Sequence, residues 1–205
     1  MAQFLKEDVQ RVIRRAALEA FAEEGFEAAT IAHIAKRAGV STGNVYRYFE
    51  NKEVLLLDVV PEAFARQVSR LLRRRVEAAR GHADPRKVTE WQDVSAELLD
   101  LAIENRLAVA FLFDPQKAAG TVHAGFSDAL VVDLVALAIL HARSRDRRFE
   151  PSAADHLVLT RIYRGLVDTM VAVLRAHAAE ADIRDAVDRF STYHLAGLKA
   201  LLERT

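Results

Sequence analysis

Apolar residues recur near the start of the chain with the period of an α-helix. In residues 8–24 they share one stripe, at spacings of i, i+3, i+4 and i+7, and they are Val9, Val12, Ile13, Ala16, Ala17, Ala20 and Phe21. Gly25 directly follows this segment, in the position where glycine commonly ends a helix. The pattern therefore predicts a first helix that ends at Glu24.

Two shorter apolar patterns follow, and a glycine separates them. Thr30 occupies an N-cap position ahead of Ile31 and Ile34, and Gly39 ends this second helix after about two turns. Ser41 is placed to cap a third helix. Two short helices joined by a tight turn are typical of a DNA-reading helix-turn-helix.

The third helix is predicted to have one buried and one outward side. At about 100° per residue, Val45 and Phe49 fall together on the buried side. Gly43, Asn44 and Arg47 fall on the opposite side. An arginine there can bind guanine O6 and N7, an asparagine can bind an adenine edge or a phosphate, and a glycine lets the backbone approach the bases.

Further polar residues surround the outward face. Thr42 can add a base or phosphate contact, and Tyr46 and Tyr48 can reach phosphates with their hydroxyl groups. Lys52 and the N-terminus of the next helix offer a charge and free N–H groups to the same DNA backbone. Ser41 completes the predicted DNA-binding set. The alternative is a solvated helix hairpin with a polar rim, which this spacing does not favour.

These residues resemble the N-terminal domain of the tetracycline-repressor (TetR) family of transcriptional regulators. The resemblance rests on the first stripe and on Gly25-Phe26, Thr30-Ile31, Ile34-Ala35, Ala38-Gly39-Val40-Ser41, Val45-Tyr46-Arg47-Tyr48-Phe49 and Asn51-Lys52-Glu53. It implies that phosphates are held by Thr30, Tyr46, Tyr48 and Lys52. It also implies that the bases are faced by Thr42, Gly43, Asn44 and Arg47. Tyr48 stands where many members have histidine.

The pattern changes after Asn51. An apolar run extends over residues 54–60, and Pro61 interrupts what would otherwise be one long helix. We therefore expect a DNA-binding domain over residues 1–50 and a helical effector-binding and dimerisation domain over residues 51–205. The latter opens with a basic run, interpreted as a solvated face paired with acids in preference to a DNA contact: Arg66, Arg70, Arg73, Arg74, Arg75 and Arg80.

Large aromatic residues gather near irregular joints of the predicted second domain. Asp114-Pro115 ends one apolar segment, and residues 116–125 read as a loop or broken helix. The predicted effector-binding residues are Trp91, Phe111, Phe113, His123, Phe126 and Tyr163. Each alone would be ordinary core, but TetR members usually bind a small effector in this middle region, and the resemblance therefore favours a mostly apolar pocket.

Two long helices are predicted at the end of the chain. Ser152 and Asp155 have the spacing of a capping box that opens a helix to about residue 179, and Asp182 opens the last helix. Both helices carry more apolar surface than a monomer needs, which favours a two-fold four-helix interface. The predicted dimer-interface residues are Leu166, Met170, Phe190, His194, Gly197, Leu198 and Leu201.

Composition narrows the fold and the possible chemistry. The chain has 205 residues, 51% of them hydrophobic, with only 4 Pro and 8 Gly, which favours an all-α protein. There is no cysteine and hence no disulfide or thiolate metal site, which suits a reducing cytoplasm. No uncharged run approaches the ~18 residues of a membrane helix. The formal net charge is zero, so DNA binding must depend on a local cluster of positive charge.

Motifs of catalysis are weak. The histidines include no i, i+3 or i, i+4 pair for a metal, and there is no glycine-rich phosphate loop. Residues 39–43 match the G-x-S-x-G pattern of hydrolases, but that motif needs a strand before its serine and a helix is predicted here. We therefore expect no enzyme activity, no cofactor and no metal.

The expected function is ligand-controlled transcriptional regulation in the cytoplasm. A homodimer would place two recognition helices ~34–36 Å apart on double-stranded DNA with an inverted-repeat operator. A small, mostly apolar effector would release the repressor from this operator. The alternative is a helix-turn-helix DNA-binding or interaction protein without a small-molecule effector.

Overall fold

The computed structural model describes residues 2–80, 82, 84–176 and 179–202. All regular structure in these residues is helical, which confirms the predicted all-α fold. In chain order the α-helices are α1 (Ala2–Glu24), α2 (Ile31–Ala38), α3 (Thr42–Tyr48), α4 (Lys52–Val59), α5 (Glu62–Ala78), α6 (Thr89–Glu104), α7 (Arg106–Leu112), α8 (Phe126–Arg145), α9 (Ala153–Arg175) and α10 (Glu180–Leu202). A 3-10 turn, Pro85–Lys87, precedes α6.

The chain divides into two compact units, and the division falls inside α5. The first unit contains the residues up to Arg66 together with Leu107–Phe126, and the second contains Gln67–Arg106 and the residues from Ser127 onward. This division describes packing and not function. The assignment of DNA binding to residues 1–50 and of effector binding to residues 51–205 stays a prediction.

The short helices of the first unit begin and end where the sequence pattern predicts. Gly25 and Gly39 adopt the left-handed conformation, with φ of 88° and 69°, which a residue with a Cβ adopts only with strain. Thr30 caps α2, Ser41 caps α3 and Asn51 caps α4, each by accepting a hydrogen bond from a backbone N–H of the first turn. Local chemistry therefore accounts for these boundaries.

The core of the first unit joins its helices through aromatic and aliphatic side chains. The Phe21 ring lies 5.7 Å from the Phe26 ring and 6.2 Å from the Phe111 ring, measured between centroids. Ile34 and Val45 are fully buried in the same cluster. The helix-turn-helix is thus packed on α1, and α1 in turn packs against Phe111 of α7, which gives α3 a rigid support.

The second unit begins with the basic run, and most of its described pairings are with acids. Arg74 lies 3.6 Å from Glu97, and Arg73 pairs with Asp133. In the first unit, Arg66 pairs with Glu62 one turn earlier at 3.3 Å. The interpretation of a paired, solvated face is right for these three arginines. Arg75 differs, because its contacts are with Ser95 and the Trp91 ring.

The two long helices at the end of the chain are present. Ser152 and Asp155 form the predicted capping box, in which the Ser152 hydroxyl accepts from the Asp155 N–H and the Asp155 carboxylate accepts from the Ser152 N–H. α9 ends at Arg175, earlier than the predicted end near residue 179. α10 begins at Glu180 and carries Asp182 in its first turn.

Candidate functional site

Two buried side chains set the rotation of α3. Val45 is fully buried and Phe49, directly after the helix, is 4% exposed. Gly43, Asn44 and Arg47 are all exposed on the helix. The structure therefore brings together the outward face predicted from the sequence, and polar groups with no core role point away from the protein.

Thr30, Ser41 and Thr42 lie at the starts of the two short helices. The Thr30 Oγ1 accepts from the His33 N–H at 3.1 Å, and the Ser41 Oγ accepts from the Asn44 N–H at 3.2 Å. Thr42 is exposed in the first turn of α3. The two capping hydroxyls keep a hydrogen to donate, so capping is compatible with a phosphate contact.

The two tyrosines of α3 have different surroundings. Tyr46 is 56% exposed, whereas Tyr48 is half-buried and packs against the core. The guanidinium carbon of Arg47 lies 6.0 Å from the centre of the Tyr48 ring. At that distance the aromatic contact is at the limit of a cation–π interaction and holds Arg47 only weakly.

Lys52 is held by the protein itself. Its Nζ donates to the Phe26 carbonyl oxygen at 2.7 Å and lies 4.2 Å from the centre of the Phe26 ring. The ammonium group is thus anchored to the loop between α1 and α2. One ammonium carries three donors, so a phosphate contact can coexist with this anchor.

Gly43 is not required by the fold. A Cβ built on Gly43 would meet only the Ser41 Oγ, at 3.8 Å, which is an ordinary van der Waals distance. Gly25 is different, because its Cβ would lie 3.1 Å from the Lys117 Cα and its φ is positive. Packing within the protein therefore does not require glycine at position 43. The absence of a side chain there leaves the outward surface of α3 flat.

Ion pairs join α1 to α2 and to α4, the helices that precede and follow α3 in the chain. Arg14 on α1 donates to both carboxylate oxygens of Asp58 on α4, at 2.6 and 3.2 Å, and this contact raises the pKa of Arg14. Arg37 on α2 pairs with Glu23 at 2.5 Å. Lys36 is exposed and forms no ion pair with the residues that the structure describes. Sequence reasoning missed Lys36 as a candidate phosphate contact. Its position in α2, away from the apolar residues Ile31 and Ile34, could have indicated that it is exposed.

The second unit contains a cavity of about 520 Å³. This volume is in the range of small-molecule sites. Of the predicted effector residues, Trp91 and Tyr163 line the cavity. Leu166, His194 and Leu198 also line it, although the sequence placed them in the dimer interface.

The other four predicted effector residues lie in the first unit and do not line this cavity. Phe111 is fully buried in the core beside Phe21. The His123 Nε2 donates to the Val60 carbonyl oxygen at 2.8 Å, and Phe113 and Phe126 pack edge to face at 5.6 Å. The sequence did not separate core aromatics from cavity aromatics, and the structure assigns these four a packing role.

Burial changes the titration of groups beside the cavity. Burial lowers the pKa of Arg75 to about 10 and raises that of Tyr163 to about 12. Burial, followed by the positive charge of Arg75, lowers the pKa of His194 to about 4. At neutral pH the site therefore contains a charged guanidinium, a neutral phenol and a neutral imidazole.

The predicted dimer residues lie on α9 and α10 with differing exposure. Leu166, Met170, Phe190, Leu198 and Leu201 are half-buried. A Cβ on Gly197 would meet nothing within 4 Å, so that position faces open space. His194 is only 7% exposed and stacks on Phe190 at 5.9 Å within its own chain. A residue that sequence reasoning missed, Tyr193, is 73% exposed.

Among the helices that the structure describes, none is long and apolar enough to cross a membrane. Across residues 2–80, 82, 84–176 and 179–202, no three His, Asp or Glu side chains are grouped as a metal site would require.

The chain is similar to known proteins mainly in its first part. Residues 13–59 match the family model described as "Bacterial regulatory proteins, tetR family". The Bacillus subtilis fatty acid metabolism regulator protein is 39% identical over 56 residues, which are 27% of this chain and 29% of that protein. The Escherichia coli HTH-type transcriptional regulator BetI is 47% identical over 64 residues, which are 31% of this chain and 30% of that protein. The matched segments thus span less than a third of either relative.

Solved structures match over most of the chain at low sequence identity. A tetR-family transcriptional regulator from Streptomyces coelicolor is 20% identical with a TM-score of 0.42, and the match covers 97% of this chain and 88% of that one. A TetR transcriptional regulator from Rhodococcus sp. RHA1 is 18% identical with a TM-score of 0.36, covering 97% and 98%.

Proposed function

The chain belongs to the tetR family of bacterial regulatory proteins through residues 13–59, and from this premise we propose that it is a dimeric, ligand-controlled transcriptional repressor. The observation that carries the proposal is the outward face of α3. Thr42, Gly43, Asn44 and Arg47 are exposed there, while Val45 and Phe49 hold the helix from behind. The proposal assigns DNA binding to residues 1–50 and effector binding and dimerisation to residues 51–205.

In the proposed complex α3 enters the major groove. Arg47 reads guanine and Asn44 reads an adenine edge or holds a phosphate, because their side chains present the matching donors and acceptors. Thr30, Tyr46, Tyr48 and Lys52 hold the phosphates on either side. Since the chain has no formal net charge, affinity depends on these few contacts and falls steeply with salt.

Arg47 offers the direct test of base reading. DNA bound by the chain is first selected from a random pool, and single-base variants of the selected site are then titrated. Arg47→Ala should relax the preference by about 1–3 kcal/mol at one base pair of each half-site. A matched control is Arg11→Ala, because Arg11 pairs with Asp8 at 3.0 Å on the surface of α1. Equal relaxation in both variants would show that Arg47 does not read a base.

Dimerisation is proposed through α9 and α10. The exposed Tyr193 and the open space at Gly197 leave a surface on which a second copy can pack closely. Five half-buried side chains on the same two helices would extend this interface, and they are Leu166, Met170, Phe190, Leu198 and Leu201. Sedimentation equilibrium should show a dimer at micromolar concentration, and a monomer there would remove the reason for an inverted-repeat operator.

The cavity of the second unit is proposed as the effector site, with Trp91 and Tyr163 among its lining residues. In this proposal the effector binds more tightly to a form of the dimer whose two DNA-binding domains are not spaced for the operator. It lowers DNA affinity by the difference between its binding free energies for the two forms, about 1–3 kcal/mol. Thermal-shift screening followed by DNA titration tests this step. A protein that binds the selected DNA while no compound stabilises it would fit the alternative, a helix-turn-helix protein without an effector.

A further inference from the structure

Arg75 lies on the apolar side of α5. It follows Val68, Leu71 and Leu72 at helical spacing, and Leu72, Arg75 and Val76 all line the cavity. Much of the remaining lining is aliphatic or aromatic, with Trp91, Leu134 and Ala138 among its members. A charged side chain therefore borders a largely apolar space.

The contacts of Arg75 with described residues involve no acid. Its Nε donates to the Ser95 Oγ at 2.9 Å, and its guanidinium carbon lies 4.5 Å from the centre of the Trp91 ring. No carboxylate in the described part of the chain forms an ion pair with Arg75, whereas the adjacent Arg74 pairs with Glu97. The two Nη groups, which hold four of the five guanidinium hydrogens, donate no hydrogen bond to a described residue.

This arrangement leaves the positive charge of the half-buried Arg75 with no described acid to compensate it. A buried charge costs free energy unless a partner of opposite sign and hydrogen bonds replace the lost water. Burial has already lowered the pKa of Arg75 to about 10, but the group remains charged at neutral pH. Tyr163 and His194, whose own titrations its charge affects, are neutral there and do not balance it.

The other charged residues around the cavity do not remove this imbalance. Among the described lining residues, Arg75, Arg86, Arg145 and Lys199 are cationic and Asp84 and Asp146 are acidic. The Asp84 carboxylate lies 3.3 Å from the Arg86 Nε and is therefore occupied by another arginine. Without that pair, and without Arg145, which has an interaction of its own, the lining still carries Arg75 and Lys199 against Asp146 and favours an anion over a cation.

We propose that the cavity binds an amphipathic carboxylate, with its head group on the free Nη edge of Arg75 and its apolar part against Trp91, Leu72 and Leu134. Arginine presents two parallel N–H groups that match the two oxygens of a carboxylate. The Tyr163 hydroxyl, held neutral, adds a donor near the same head group. This inference rests on the proposed effector function and specifies the chemical class of the effector.

The full chain itself contains a reporter for the test. Trp91 is the only tryptophan of the sequence and lies against Arg75, so its fluorescence follows occupation of the site. The probes are straight-chain carboxylates from hexanoate to tetradecanoate. Decanol, decyltrimethylammonium and decyl phosphate serve as neutral, cationic and dianionic comparisons at one chain length. Each is titrated below its critical micelle concentration, and calorimetry confirms each dissociation constant.

Two substitutions separate charge from shape. Arg75→Met keeps an unbranched side chain and removes the charge, and Arg75→Lys keeps the charge without the bidentate edge. Arg74→Met removes the neighbouring, acid-paired arginine and is the matched control. For Arg75→Met the affinity for the best carboxylate should fall by about tenfold to a hundredfold, since a charged hydrogen bond is lost. Its affinity for decanol should be unchanged, and Arg74→Met should bind as the native chain does.

The same variants distinguish ligand binding from a structural role. If Arg75 serves only to hold Ser95 and Trp91, Arg75→Met should lower the thermal unfolding temperature and weaken all probes alike. That result would overturn the proposal. Equal binding of decanoate and decanol by the native chain, tighter binding of decyl phosphate, or no binding of any carboxylate would overturn it as well.

The DNA readout separates this inference from the proposed function. Charge-selective binding that depends on Arg75 supports the carboxylate site whether or not the selected DNA is released. If carboxylates bind in this way and DNA affinity does not change, the carboxylate site stands and the effector role falls. If another class of compound releases the DNA while carboxylates do not bind, the effector role stands and the carboxylate site falls.

Discussion

Replacing Gly43 by alanine should stabilise the protein and weaken its binding to DNA. In the free protein the new Cβ would lie 3.8 Å from the Ser41 Oγ and would meet no closer atom. Alanine is favoured over glycine inside a helix, so the free energy of unfolding should rise by about 0.5–1 kcal/mol. In the proposed complex the same methyl group would lie between the α3 backbone and the base edges. An extra methyl group in a close-packed contact costs about 1–3 kcal/mol, so affinity should fall about tenfold to a hundredfold.

Urea unfolding and DNA titration together test this reasoning. Gly165→Ala is a matched control, because Gly165 also lies within a helix and its Cβ would meet nothing within 4 Å. It should gain similar stability and keep the native sequence preference for DNA. Affinities are compared at protein concentrations where sedimentation shows one assembly for all variants. If Gly43→Ala binds DNA as tightly as the native chain, the backbone of α3 does not approach the bases closely.

Two further predictions concern Lys52 and His194. Because the Lys52 Nζ donates to the Phe26 carbonyl oxygen at 2.7 Å, Lys52→Met should lower the free energy of unfolding by about 1–2 kcal/mol, while Lys36→Met should leave it unchanged. If Lys52 also holds a phosphate, the salt slope of DNA binding should fall by about one in the same variant; equal stability of both variants would contradict the anchor. Burial, and then the charge of Arg75, lowers the pKa of His194 to about 4, so between about pH 6.5 and pH 4 the unfolded state binds more protons than the folded state. The free energy of unfolding should therefore fall as the pH decreases through that window, by up to about 3 kcal/mol more in the native chain than in His194→Gln. Urea unfolding at several pH values measures this difference, and parallel pH profiles for the two proteins would refute the prediction.

The helix-turn-helix could be predicted in detail because its determinants are local. Capping by Thr30 and Ser41 and termination at Gly39 each depend on residues within one turn of the helix end. The rotation of α3 followed from Val45 and Phe49, since a helix has a fixed angle per residue. Physical chemistry within a short window thus decides this part of the fold.

The cavity could not be predicted in the same way, because it depends on contacts between residues far apart in the chain. Phe111 and Trp91 are both apolar aromatics near helix ends, yet the Phe111 ring packs in the core of the first unit and Trp91 lines the cavity of the second. No local pattern distinguishes these two fates. His194 likewise fits an interface seam by spacing, but it is buried beside Tyr163 in its own chain.

Arg75 illustrates the boundary between the two kinds of information. Its spacing from Leu71 and Leu72 is that of the apolar side of a helix, but with the rest of its run it was predicted to lie on a solvated face paired with acids. Only the tertiary structure decided that Trp91 and Ser95 surround it and that no described acid pairs with it. The sequence by itself determined the helices, their caps and the outward face of α3, because these depend on neighbours along the chain. The cavity and its uncompensated charge depend on which distant helices meet, and that was decided by packing.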